Sequence, residues 1–292
     1  MNFEHLKALS AIVEAGSFDA AATLLGITPS AVSQRIRALE TSAGQILVRR
    51  SLPSSPTEAG AVLLRTARQI LALEADALQS LGQRPTGRAT VALAVNADSL
   101  ATWFVPVLQD AAAWPDTVLD LHIGDQDHSS RLLRQGDVLG AVTTDPKAAG
   151  GCRAELLGVM RYVPAASTTL RQRHQTSDGV NWSEMPMLRF STDDDMQHRF
   201  LRSQGIEHFP PTHTIPSSEA FLAAACAGLG WGMIPEQQLQ QDLSHGLVPL
   251  PGAPSDVALY WQCWSMVSPR LERITKAVRA AGSKLRQSDP LT

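Results

Sequence analysis

Between Gly26 and Pro56 the chain carries four arginines, Arg35, Arg37, Arg49 and Arg50, against a single acid, Glu40. The formal net charge of the whole chain is -3, so contact with a polyanion has to be made locally by this segment. The arginines are interleaved with Thr28, Pro29, Ser30, Ser33 and Gln34. At 100° per residue, Ser30, Ser33, Gln34 and Arg37 share one side of a helix while Val32, Ile36 and Leu39 share the other, with Arg35 on the flank. Hydroxyls, an amide and a guanidinium on one exposed helix face can hydrogen-bond base edges and phosphate oxygens in a major groove.

A second constellation is acidic and spread over the ends of apolar runs. Asn96, Asp98, Ser99 and Leu100 follow Ala89 to Val95; Asp125 and Asp127 follow Val118 to Ile123; Thr144 and Asp145 follow Val138 to Thr143. Further on, Phe190 ends Met187 to Phe190 ahead of Asp193, and Ser217 and Glu219 open a helical stretch. In open α/β sheets a ligand sits beyond the carboxyl ends of the strands, near helix N-termini whose free N–H groups hold anions. Acids at several exits together with anion-holding helix starts suit a small zwitterion with an additional cation.

The elements that position the first set are short and helical. Phe3, Leu6, Leu9, Ile12 and Val13 recur at helical spacing; Ser17 can cap a second helix that Gly26 stops; Thr28 and Pro29 open a third that runs to Ala43. Ile46 to Arg50 and the proline-containing Ser51 to Thr57 then read as a strand and loop, a wing bearing two adjacent cations. From Thr57 to Leu81 the chain is rich in helix formers, and Leu64, Leu71 and Leu78 repeat every seven residues as a seam that needs a partner.

These head residues resemble the LysR-type regulators: Phe18 to Leu25, Thr28-Pro29-Ser30-Ala31-Val32-Ser33, Ile36 to Glu40, Leu47 to Arg50 and Thr57-Glu58-Ala59-Gly60 follow the family's N-terminal signature. Val95 to Trp103, Asp125 to Ser129, Gly140 to Thr144 and Gly230 to Pro235 resemble the branch that responds to basic amino acids. The resemblance implies a winged helix-turn-helix DNA-binding domain over residues 1–60, a dimerising linker helix over 57–81, a hinge over 82–90 and an effector-binding domain over 91–292. The overall class is α+β, the last domain being a two-lobed α/β unit like the periplasmic binding proteins, with one lobe of residues 91–163 and 267–292 and the other of 164–266.

It also implies an activator that binds double-stranded promoter DNA as a homo-oligomer, often a dimer of dimers, with RNA polymerase as a further partner. The effector would be L-lysine, L-arginine or L-histidine, the controlled gene a basic-amino-acid exporter, and Trp103 would join the effector site. No cofactor or metal is expected: Cys152, Cys226 and Cys263 are scattered and no histidines stand at ligand spacing. Two competing readings are an α/β enzyme with an accessory head and a plain ligand-binding protein. The first lacks a phosphate loop, a nucleophile elbow and a His-Glu-x-x-His pair; the second leaves the head unexplained. Without a basic segment and apolar core at its start, and with no apolar run near the roughly 20 residues a bilayer needs, the chain reads as a cytoplasmic protein outside any membrane.

Overall fold

The computed structural model describes residues 2–81, 89–124, 126–177, 179–242 and 246–287, with the side chains of 79, 80, 89, 126–128, 241 and 242 left out. The head is three helices, α1 (Phe3–Ala15), α2 (Phe18–Leu25) and α3 (Pro29–Ala43). Each begins on a side-chain cap: Asn2 accepts from Glu4 N, Ser17 from Ala20 N and Thr28 from Ala31 N. Each ends on a glycine with positive φ, Gly16, Gly26 and Gly44, which is the conformation that turns a helix end without a Cβ penalty. Leu6, Leu9, Ile12, Val32, Ile36 and Leu39 meet in one core, closed below by Leu47 and Val48. A two-stranded antiparallel wing, β1 (Val48–Arg49) and β2 (Ser55–Pro56), follows.

Helix α4 (Glu58–Ser80) leaves the wing. Thr57 caps it by accepting from Gly60 N at 3.0 Å. A Cβ on Gly60 would lie 1.9 Å from the Leu47 carbonyl oxygen, so only glycine lets the helix start this close to the wing. Leu64 and Ala67 belong to the head core, with Leu63 and Ile70 packed against it. The expected seam therefore begins in contact with the chain's own head: on the helical wheel Leu64, Leu71 and Leu78 share the side on which Leu64 is 2% exposed. The exposed large apolar residues of α4 are Val62 and Leu73, about a third of a turn or more away around the helix.

The effector region is built on one curled sheet in the order β11-β6-β13-β5-β3-β4. In the first lobe β3 (Ala89–Val95) pairs in parallel with both β4 (Thr117–Ile123) and β5 (Gly140–Thr143). Helices α5 (Ala97–Ala101), α6 (Val105–Ala111) and α7 (Gln126–Gln135) connect the strands. The helical stretch expected from Ser99 to Ala113 is broken at Thr102, where φ and ψ are -126° and -102°, just ahead of Pro106 in the first turn of α6.

Two long strands then run between the lobes. β6 (Cys152–Ser167) is antiparallel to β13 (Ser255–Trp264), with a register shift between Leu259 and Tyr260. Pro164, where the sequence suggests a boundary, lies inside β6 opposite Met233, so the chain passes from lobe to lobe without a break. Alternating strands and helices suggest a parallel sheet, and in the first lobe β3, β4 and β5 pair that way. Periodicity shows that a strand is buried but not which way its neighbour runs, and β6, β11 (Gly232–Pro235), β12 (Leu247–Pro249) and β13 all pair antiparallel.

The second lobe adds α8 (Thr168–Arg173), a small hairpin of β7 (Gln175–Thr176) and β8 (Gly179–Val180), and a parallel pair, β9 (Met187–Arg189) with β10 (Thr212–Thr214). Its helices are α9 (Met196–Ser203), α10 (Ser218–Cys226) and α11 (Glu236–Asp242). Helix α12 (Pro269–Gly282) returns to the first lobe, burying Leu271, Ile274, Val278 and Ala281. No helix among the described residues is long and apolar enough to cross a membrane.

Candidate functional site: an exposed helix face and an interlobe cleft

On the head, burial of Val32, Ile36 and Leu39 turns the opposite side of α3 outward. Thr28, Pro29, Ser30, Gln34 and Arg37 are exposed and Ser33 half-buried. Thr28 is occupied in capping α3, and its hydroxyl lies 2.9 Å from that of Ser30. Arg35 is drawn back to the head by an ion pair with Glu4 at 2.9 Å, whereas the Arg37 side chain has no ion pair among the described residues. On the wing Arg49 and Arg50 are exposed, Arg50 with its guanidinium 4.9 Å from the Phe18 ring centroid. The head thus presents one exposed helix face and two exposed wing cations, residue types suited to a major groove and its flanking phosphates.

The effector region has a cleft between its lobes, a cavity of about 90 Å³ lined by Asn96, Ser129, Thr143, Thr144, Tyr162 and Arg199 over an apolar floor that includes Val142, Met196 and Leu259. One ordered water needs roughly 10–15 Å³ by the same measure, so the cavity holds a small molecule's worth of solvent. Two polar atoms there, Asn96 Oδ1 and Ser129 Oγ, are buried and have no hydrogen-bond partner among the described residues. Buried polar atoms are nearly always paired, so such a couple marks a place where a ligand or water completes the bonding.

Beside the cavity, Asp98 joins the two lobes. Its carboxylate accepts from Ser218 Oγ at 2.7 Å and from Tyr162 Oη at 2.9 Å, and Ser218 in turn accepts from Gln238 Nε2 at 3.2 Å. Burial raises the pKa of Asp98 against the lowering effect of its two hydroxyl donors, with the nearby charge of Asp194 adding to the rise. Tyr162 is pushed well above its ordinary value, first by burial and then by the Asp98 charge it faces. A carboxylate that among the described residues is held by two hydroxyls, in a low-dielectric site, can receive a cation.

Of the sequence-derived effector residues, Asn96 and Thr144 line the cavity and Asp98 adjoins it. Ser99, Leu100 and Trp103 do not: Ser99 Oγ accepts from Trp103 Nε1 at 2.9 Å, Trp103 is 2% exposed, and Leu100 packs on the core. Asp145 is exposed and caps Lys147 N, and Phe190 is half-buried with its N–H bonded to Asp194. Asp193 is exposed. Ser217 caps α10 by accepting from Ala220 N, and Glu219 faces solvent, while Ser218 between them faces the cleft. Asp145 and Ser217 therefore serve the local backbone, a common use of such residues in turns and helix starts. Asp125 and the Asp127 side chain lie outside the described residues.

The sequence reading missed Tyr162, Ser129, Arg199, Ser218 and Gln238 as site residues. Ser218 had a signal: with Ser217 as cap, the next residue is turned toward the sheet. Tyr162 had another, as a polar-tipped ring alternating with the apolar Met160 and Pro164 along one face of its strand. Arg199 and Gln238 carry no local signature.

Comparison with known proteins gives the same layout. The bacterial regulatory helix-turn-helix model of the lysR family matches residues 3–61, and the LysR substrate binding domain model matches residues 82–288. The chain belongs to the LysR family. It is 41% identical over 281 residues to the lysine export transcriptional regulatory protein LysG of Corynebacterium glutamicum, covering 95% of this chain and 97% of that protein. Among solved structures, ArgP from Mycobacterium tuberculosis superposes with a TM-score of 0.88 at 47% identity, over 98% of each chain. The full-length C. glutamicum LysG with bound effector Arg superposes with a TM-score of 0.82 at 39% identity, over 99% of this chain and 100% of that one. This LysR-type protein is accordingly a transcriptional regulator and not an enzyme, with a winged helix-turn-helix, a linker helix and a two-lobed effector domain, as its sequence suggests.

Proposed function

We propose that this LysR-type regulator senses a basic amino acid, L-lysine, L-arginine or L-histidine, in the cleft between its lobes and in response activates a gene for a basic-amino-acid exporter. The observation that carries the reading is Asp98, a carboxylate that accepts from Tyr162 and, across the cleft, from Ser218, beside a cavity where two buried polar atoms have no partner among the described residues. A ligand's side-chain cation offsets that carboxylate. Its α-carboxylate is directed to Arg199, which lines the same cavity and has no ion pair among the described residues. The LysG of C. glutamicum supports the reading twice, by its name as a lysine export regulator and by the effector Arg bound in its structure.

Ligand acts by binding one arrangement of the lobes better than the other, since an effector shifts an equilibrium only by its differential affinity. The heads act in pairs on promoter DNA, in a cytoplasmic homo-oligomer built as a dimer of dimers, where RNA polymerase is the next partner. Ser30, Ser33, Gln34 and Arg37 read the major groove while Arg49 and Arg50 hold phosphate.

A thermal-shift screen of the twenty amino acids against the full-length protein tests the effector. A ligand at 100 times its Kd stabilises by roughly 2.7 kcal/mol, a clear rise in melting temperature. Lysine, arginine or histidine should produce it; a screen in which none does removes the assignment.

A further inference from the structure

Helix α4 touches the head with one side and the first lobe with another, and the second contact is polar. Arg68 pairs with Asp137 in the turn after α7. Arg65 donates to the Arg134 carbonyl at 3.3 Å, and its guanidinium lies 5.9 Å from the Trp264 ring centroid. Further along, Asp76 accepts from Ser268 Oγ and pairs with Arg270 at 2.9 Å, in a contact where the two side chains are 8% and 6% exposed. On a helical wheel Arg65, Arg68 and Asp76 form one stripe. Gly136, at φ +73°, sits against this stripe; a Cβ there would come within 3.1 Å of Arg65 Cα, so the loop approaches the helix backbone itself.

The two ion pairs have opposite polarity. At one position the helix supplies the cation and the lobe the acid; about 12 Å further on, eight residues at 1.5 Å each, the helix supplies the acid and the lobe the cation. Sliding or reversing the helix would bring like charges together, so this pattern selects one register, as buried charges do where they specify pairing. The other side of the same helix is fixed to the head through Leu64 and Ala67 in its core and through Lys7 with Glu74 at 3.5 Å.

We propose that Arg68, Asp76, Asp137 and Arg270 are positioning residues for DNA recognition, which lock α4 in one register on the first lobe so that the lobe sets the direction in which the head faces. The effector's identity does not enter.

The test uses the full-length, ligand-free protein, with Arg68→Ala, Asp76→Asn, the double variant and Arg68→Lys. Amide exchange across residues 66–76 should be at least tenfold faster in the double variant, with exchange in α1 and β3 unchanged, and Arg68→Lys should restore the slow rate to the 68 position. DNA selected from a random pool by the wild-type protein is then re-made with its half-sites moved half a helical turn apart. The wild-type preference for the original spacing should fall at least fivefold in the double variant while affinity for one half-site stays within twofold. If the double variant does not fold, Arg68→Ala alone, at a pair 22% and 28% exposed, is held to the same two readouts with threefold thresholds. Unchanged exchange in α4, or an unchanged spacing preference, overturns the proposal.

Discussion

Replacing Asp98 with Asn keeps the shape of the latch and removes its charge. The carboxylate receives two hydroxyl hydrogen bonds, from Ser218 and Tyr162, and the amide oxygen can keep at least one of them, so the ligand-free protein should melt within a few degrees of the wild type. Arginine binding should suffer far more. A hydrogen bond to a charged group contributes about 1.5–3 kcal/mol, which corresponds to about a 10- to 150-fold increase in Kd. The pH dependence has a definite sign. Because burial raises the Asp98 pKa, the stability this group contributes is complete below the ordinary carboxylate range and is lost as pH rises through the raised value. Above that value the cleft holds an uncompensated carboxylate, which a cation offsets. Calorimetric titration with arginine should therefore show affinity rising with pH across that window in the wild type and a flat profile in Asp98→Asn. Equal affinities in the two proteins, or a falling wild-type profile, would refute the role given to Asp98.

Ser129→Ala removes a buried hydroxyl that has no partner among the described residues, so the melting temperature should hold or rise while the Kd for arginine increases severalfold in the same calorimeter. Arg37→Ala should weaken binding to selected DNA by about 1–3 kcal/mol in a gel-shift titration and leave arginine binding intact, whereas Arg35→Ala, already tied to Glu4, should cost less. Arg49→Ala should lower affinity for all sequences alike and reduce the slope of log affinity against log salt by about 1. Gly60→Ala would place a methyl group against the Leu47 carbonyl and should lower the melting temperature of the whole protein by several degrees.

The head is readable from sequence because its determinants are near neighbours. Caps lie three residues or fewer from the N–H groups they accept from, and Val32, Ile36 and Leu39 are a single helical stripe. The cleft is different. Asp98 and Ser218 are 120 residues apart, Asp98 and Tyr162 64, and no periodicity links them. Sequence reasoning found the strand exits, which bring Asn96 and Thr144 to the cavity wall and Asp98 beside it, but it could not tell an acid that faces the other lobe from one, such as Asp145, that caps its own turn. The linker is a related case. A leucine repeat reports a stripe to be buried and leaves open against what; here Leu64 meets the chain's own head.

Helix α4 divides its circumference three ways: Leu64 and Ala67 toward the head, Arg65, Arg68 and Asp76 toward the first lobe, and Val62 and Leu73 outward. Anyone grafting a new sensor onto this head inherits a constraint from that division. A cut at either end of the helix hands one module a surface shaped for the module it has lost. A working chimera needs a mosaic helix, with residues 63, 64, 67 and 70 taken from the donor of the head and 65, 68 and 76 from the donor of the sensor.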